Sequence, residues 1–65
     1  MKEGQMIIIK ECHKVPELVG KMAEVVVTNG TQLGSEYPIH VLIEGYEDPV
    51  GFHEDELKVI LGGGY

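Results

Sequence analysis

Nine glycines and three prolines are spread along this 65-residue chain so that no window of a dozen residues keeps a 3.6-residue apolar period without meeting one of them. An α-helix therefore has nowhere to run. What lies between the breaks is rich in Ile and Val. "QMIIIKE" (Gln5 to Glu11), "KMAEVVVT" (Lys21 to Thr28) and "PIHVLIE" (Pro38 to Glu44) each read as a strand, as do the shorter "VGFH" (Val50 to His53) and "LKVIL" (Leu57 to Leu61). The expected class is all-β, with five strands.

The connections differ in kind, and their order carries the topology. "CHKVPELVG" is a long irregular loop in which Pro16 lacks a backbone donor and Val15, Leu18 and Val19 can fold back on the core. "NGTQLGSEY" opens on Asn29-Gly30, a tight-turn signal, and "GYEDP" is a hairpin loop. "EDE" (Glu54 to Glu56) offers one tight helical turn before the last strand. These features describe a small, strongly bent five-stranded barrel over residues 1–61, followed by a flexible glycine-rich tail at 62–65.

Alternation sorts the side chains, because successive residues of a strand point to opposite faces. Ile39, Val41 and Ile43 are expected to face the core, and His40, Leu42 and Glu44 to face out. Ala23, Val25 and Val27 likewise oppose Glu24, Val26 and Thr28. On the first strand, reading Gly4-Gln5 as the turn into the strand puts Met6 and Ile8 inside and Ile7 and Ile9 outside. Ile7, Ile9, Val26 and Leu42 then form an outward apolar set on a chain too short to cover all of them: either the long first loop and the C-terminus fold over some, or, exposed together, they form a candidate interface.

A chain of this length makes one domain, burying only about 60% of the surface its unfolded form exposes, with no room for a deep cleft. Cys12 is the only cysteine, so no internal disulfide exists and a reducing compartment such as the cytoplasm fits best. The apolar run Met6 to Ile9 is far short of a signal-peptide core or a membrane span. Asn29-Gly30-Thr31 matches a glycosylation sequon, but without a secretion signal it reads as a turn.

Eleven acids face five lysines, arginine is absent, and the formal charge is −6. Such a balance disfavours nucleic acid and anionic membrane, whose binding rests on Lys and Arg. Glu44, Glu47, Asp48, Glu54, Asp55 and Glu56 fall in a segment with no basic residue, which is expected to make one end of the molecule negative and to steer a basic partner.

Cys12, His13, His40 and His53 match no metal-ligand spacing, so neither a metal nor a cofactor is expected. Neighbouring Cys12 and His13 point apart on an extended segment and do not make a catalytic pair. The expected Cys12 is a small, half-buried residue at a strand end. Among the aromatics, Phe52 is expected in the core and Tyr37 and Tyr46 beside turns. The long first loop contains no aromatic, which argues against a groove for proline-rich peptides. In "PVGFHEDELKVI", Gly51 permits close backbone approach or a bulge as the fourth strand bends, Phe52 fills the barrel, and Leu57 plugs its mouth.

The frame "GQMIII…VPELVGKMAEVVV…YPIHVLIEG…PVGFHEDELKVI" resembles the bacterial members of the Src-homology-3-like small-barrel superfamily. The likeness covers residues 4–61, and is carried best by Gly20 to Val27, with its small Ala23, and by the "GFHEDEL" closure. It implies a fold and not an activity. Members of this kind include uncharacterised phage or mobile-element proteins and accessory subunits such as the ferredoxin-thioredoxin reductase variable chain and the nitrile hydratase β-subunit domain. The nucleic-acid-binding branch of the superfamily has a basic surface that this acidic chain lacks. The expected role is therefore a non-enzymatic protein-interaction module, self-associating or an accessory subunit. The alternative is a subunit of a metallo- or redox enzyme whose partner supplies the chemistry, and a weaker alternative is nucleic-acid binding.

Overall fold

The computed structural model describes residues 1–61, the last of them by its backbone alone. The glycine-rich tail at 62–65 lies outside the described residues. Five strands, β1 (Met6–Ile9), β2 (Met22–Val27), β3 (Ile39–Ile43), β4 (Val50–Phe52) and β5 (Leu57–Leu61), form one antiparallel sheet in the order β4-β3-β2-β1-β5. The first and last strands are thus neighbours. No α-helix occurs among the described residues.

Three 3-10 turns interrupt the loops, at Pro16–Leu18, Gly30–Leu33 and Glu54–Glu56, where a single turn at Glu54 to Glu56 was expected. The first forms because proline presets its own φ at the opening position. The Leu18 amide then donates to the Val15 carbonyl at 3.0 Å, and Leu18 is driven into the core at 1% exposure. The second replaces the expected Asn-Gly turn. Asn29 has a negative φ, so no hairpin turn of the Asn-Gly type forms. Gly30 is required for a different reason: a Cβ there would collide with the Tyr37 carbonyl oxygen and with the His40 ring. The third is fixed by Glu56, whose Oε1 accepts from the His53 amide at 2.8 Å.

Beneath the sheet lies one core, built from Ile7, Ile9, Ala23, Val25, Ile39, Val41, Ile43, Phe52 and Leu57, with Cys12 and Leu18 folded in from the first loop. Among the described residues it holds no charged side chain. Ile39, Val41 and Ile43 are buried as their alternation predicts. Strand β1 runs in the opposite phase to expectation: Ile7 and Ile9 are 0% and 1% exposed, and Met6 and Ile8 face out. The neighbouring strands set that phase. Ile7 lies opposite Ala23 and Ile9 opposite Leu57, both core residues, so the small Ala23 leaves room for the bulk of Ile7.

A register shift between Val25 and Val27 leaves Val26 as a bulge, with Val25 opposite Val41 and Val27 opposite His40. The extra residue ends the alternation. Val26 and Val27 are consequently both half-buried, neither the outward nor the core residue expected of them. Cys12 is a free thiol, 4% exposed, more deeply placed than the half-buried position expected.

Candidate interaction surface

The outer face of the sheet is assembled row by row from the strand register. Residues paired across antiparallel strands share a face, so Lys58, Ile8 and Met22 stand in one row and Met6, Glu24 and Leu42 in the next. Glu44, just past the end of β3, extends the first row beside Met22. Ile8 and Met22 are neighbours across β1 and β2, and Leu42 on β3 lies one row on, separated from Met6 by Glu24. Met22 and Leu42 are 48% and 39% exposed, and Tyr46 beyond them is 42% exposed.

Between these side chains lies an open groove of about 360 Å³, bordered by Met6, Met22, Leu42 and Tyr46 with Glu24 and Glu44 on its rim. Tyr46 reaches the groove because Gly45, at φ +89°, turns the chain sharply after β3 and lets the Tyr46 amide donate to the Ile43 carbonyl at 2.9 Å. A second hollow of about 350 Å³ lies over Lys21, Met22, Ile43 and Glu44. Chemically the face offers polarisable thioethers and an aromatic with a carboxylate rim, a combination suited to apolar side chains of a protein.

Of the four residues expected on this face, Leu42 is there, Val26 is half-buried in the bulge, and Ile7 and Ile9 lie beneath it in the core. Met6, Ile8, Met22 and Tyr46 take their places. Met22 was within reach of the sequence, since alternation from Ala23 puts it beside Glu24 on the outer set.

The six acids do not share one end. Glu44, Glu47 and Asp48 sit in and beside the β3–β4 connection, while Glu54, Asp55 and Glu56 follow the far end of β4. Because Val41 pairs with Val50 and Ile39 with Phe52, the hairpin separates the two groups along its length. The negative charge is divided between opposite ends of that hairpin.

A second cluster ties the first loop to β4. The Lys14 ammonium donates to the Gly51 carbonyl at 3.0 Å and lies 3.9 Å from the centroid of Tyr37 and 5.5 Å from that of Phe52. Tyr37 meets the His53 ring at 5.1 Å. The aromatic rests directly on Gly51, where an added Cβ would come within 2.7 Å of the Tyr37 Cβ. Close approach is thus what Gly51 provides. The lysine ties the first loop to β4 through the Gly51 carbonyl and the Tyr37 ring, so this cluster acts as a clasp.

His40 Nε2 lies 3.0 Å from the Ser35 Oγ, which also accepts the Tyr37 amide at 3.1 Å. Among the described residues no carboxylate hydrogen-bonds the His40 ring, and the pair serves to close the loop around Gly30. Among the described residues no three His, Cys, Asp or Glu side chains come together in a geometry that holds a metal. No helix among them is long and apolar enough to cross a membrane.

Neither a scan against protein-family models nor searches of curated proteins and of solved structures finds a match to this chain.

Proposed function

We propose that the chain is a Src-homology-3-like small barrel acting as a non-enzymatic protein-interaction module, which meets its partner with the outer face of β1, β2 and β3. The barrel reading is supported by the strand order β4-β3-β2-β1-β5 together with a long first loop and a 3-10 turn just before the last strand. One observation carries the functional reading: the exposed Met22 and Leu42, with the half-buried Met6 and Ile8 beside them, leave an apolar patch on the outer face while the core packs on the other side of the sheet.

The magnitude is appropriate for a reversible contact. Burying on the order of 400 Å² of apolar surface across both partners is worth about 10 kcal/mol, against association costs of about 4 to 15 kcal/mol. Binding is then real only where the partner's shape or charge adds to it.

The test is a Met22→Lys, Leu42→Lys double variant, checked for a parent-like far-UV circular dichroism spectrum and compared with the parent in cross-linking within the source cell. Both substitutions are at exposed positions, so folding is expected to survive. Loss of the parent's cross-linked species supports the reading. An unchanged cross-linking pattern refutes it.

A further inference from the structure

We infer that the partner this face accepts is a second copy of the same chain, related by a twofold axis parallel to the strands and passing between β1 and β2. The inference rests on the reading of the outer face as a protein contact, and the arrangement of charge on that face supplies the partner. The row across the sheet runs Lys58, Ile8, Met22, Glu44: a cation at one end, a carboxylate at the other, and two apolar side chains between. Adjacent strands are about 4.8 Å apart, so the row spans roughly 14 Å.

A twofold axis along the strands reverses this row in the second copy. Ile8 then lies over the partner's Met22, Lys58 meets the partner's Glu44, and Glu44 meets the partner's Lys58. Two apolar contacts and two opposite-charge contacts form at once, as an isologous interface requires. An axis across the strands and through this row sets each charge against its own copy, and the like pairs repel. The row is therefore complementary to itself in one orientation only.

The neighbouring row is less favourable. Glu24 comes over the partner's Met6 and must reach past it to water, while the exposed Leu42 and Tyr46 extend the apolar contact outward. The four-strand face covers roughly 250 Å² per copy, well under the ~800 Å² per partner of a standard stable interface. The pair is accordingly weak, with dissociation on the order of hundreds of micromolar.

Each copy carries a net charge of −6, so simple repulsion between copies opposes pairing, and this makes one substitution decisive. Glu44→Lys lowers the net negative charge. If overall repulsion governed association it would strengthen the pair; in the arrangement inferred here it places like charges at both ends of the row and weakens it.

The experiment is sedimentation equilibrium of the purified chain from about 20 µM to about 1 mM, with Glu44→Lys, Lys58→Glu, the double exchange and Met22→Lys alongside. The parent is expected to show apparent mass rising toward the dimer, each single charge reversal to weaken association about tenfold, and the double exchange to restore it. Met22→Lys abolishes it. A parent that stays monomeric at 1 mM, a Glu44→Lys variant that pairs as well or better, a double exchange that stays weak, or pairing that survives Met22→Lys overturns the inference. A monomeric parent whose cellular cross-link is still lost in the Met22→Lys, Leu42→Lys variant overturns self-pairing alone and leaves the interaction reading standing.

Discussion

Replacing Gly51 by alanine is expected to destabilise the fold although it adds a single methyl group. The ideal Cβ falls 2.7 Å from the Tyr37 Cβ, 2.9 Å from its Cδ2 and 3.0 Å from its Cγ. A ring can swing aside, but a Cβ moves only with its backbone, so the loop carrying Tyr37 must shift. Overpacking of this kind costs about 1–3 kcal/mol. Displacing Tyr37 also weakens its contact with the Lys14 ammonium, about 0.5–1 kcal/mol at an exposed site. Alanine restricts the unfolded chain and returns about 0.4–1 kcal/mol. The balance is a loss of roughly 1–3 kcal/mol, out of a total stability of about 3–10 kcal/mol for a domain of this size. The assay is urea unfolding followed by circular dichroism, with thermal melts as a check, where each kcal/mol corresponds to a fall of about 4–8 °C. Tyr37→Gly completes a double-mutant cycle, since it removes all three opposing atoms, whereas alanine would retain the nearest. Gly51→Ala should cost at least about 1 kcal/mol less in that background. A Gly51→Ala variant within about 0.5 kcal/mol of the parent, or one equally destabilised with and without Tyr37, would refute the reasoning.

The phase of β1 is checked by Ile7→Ala against Ile8→Ala in the same denaturation assay: the first should cost about 2–5 kcal/mol and the second under about 1 kcal/mol, and equal costs would mean the strand has no buried face. Lys14→Met keeps the stem but removes the charge, and is expected to cost about 0.5–2 kcal/mol while speeding amide exchange in the first loop, because the bond to the Gly51 carbonyl and the contact with Tyr37 go together. No electrophoretic shift is expected with duplex DNA at physiological salt, since Lys14 is engaged in its clasp and the overall charge is −6; a salt-dependent shift at micromolar DNA would mean that Lys10, Lys14 and Lys21 act as a local cationic patch.

The strands were legible where their neighbours in sequence differ in polarity. Ile39, Val41 and Ile43 alternate with His40 and Glu44, so β3 announces both its existence and its orientation, and Leu42 is correctly placed outside. The run Met6 to Ile9 has no polar residue to break the tie. Its existence as a strand is plain and its phase is not, because the deciding residues, Ala23 and Leu57, lie on other strands. Three consecutive valines hide the bulge at Val26 in the same way. Asn29-Gly30 is a sound local turn signal, but here the glycine answers to a backbone seven residues away at Tyr37. The face through Met6, Ile8, Met22 and Leu42 depends on that unresolved phase, so only its β2 and β3 members could be read from sequence.

The pairing of β1 with β5 also governs how the chain reaches its fold. Strands β1 to β4 can zip as successive neighbours through loops of modest length, but Ile9 meets Leu57 only after nearly the whole described chain has been brought round. Contacts of such long sequence separation slow folding, since loop entropy is lost before the contact rewards it. During synthesis β1 waits longest. Until residues 57–61 have emerged, its free edge and two apolar faces are open to any other strand, including the same segment of a second nascent chain. Intermolecular pairing at that stage competes with completion of the sheet, and the two glutamates and the aspartate of "EDE", which arrive immediately before β5, hold that end of the unfinished molecule apart from its neighbours by charge.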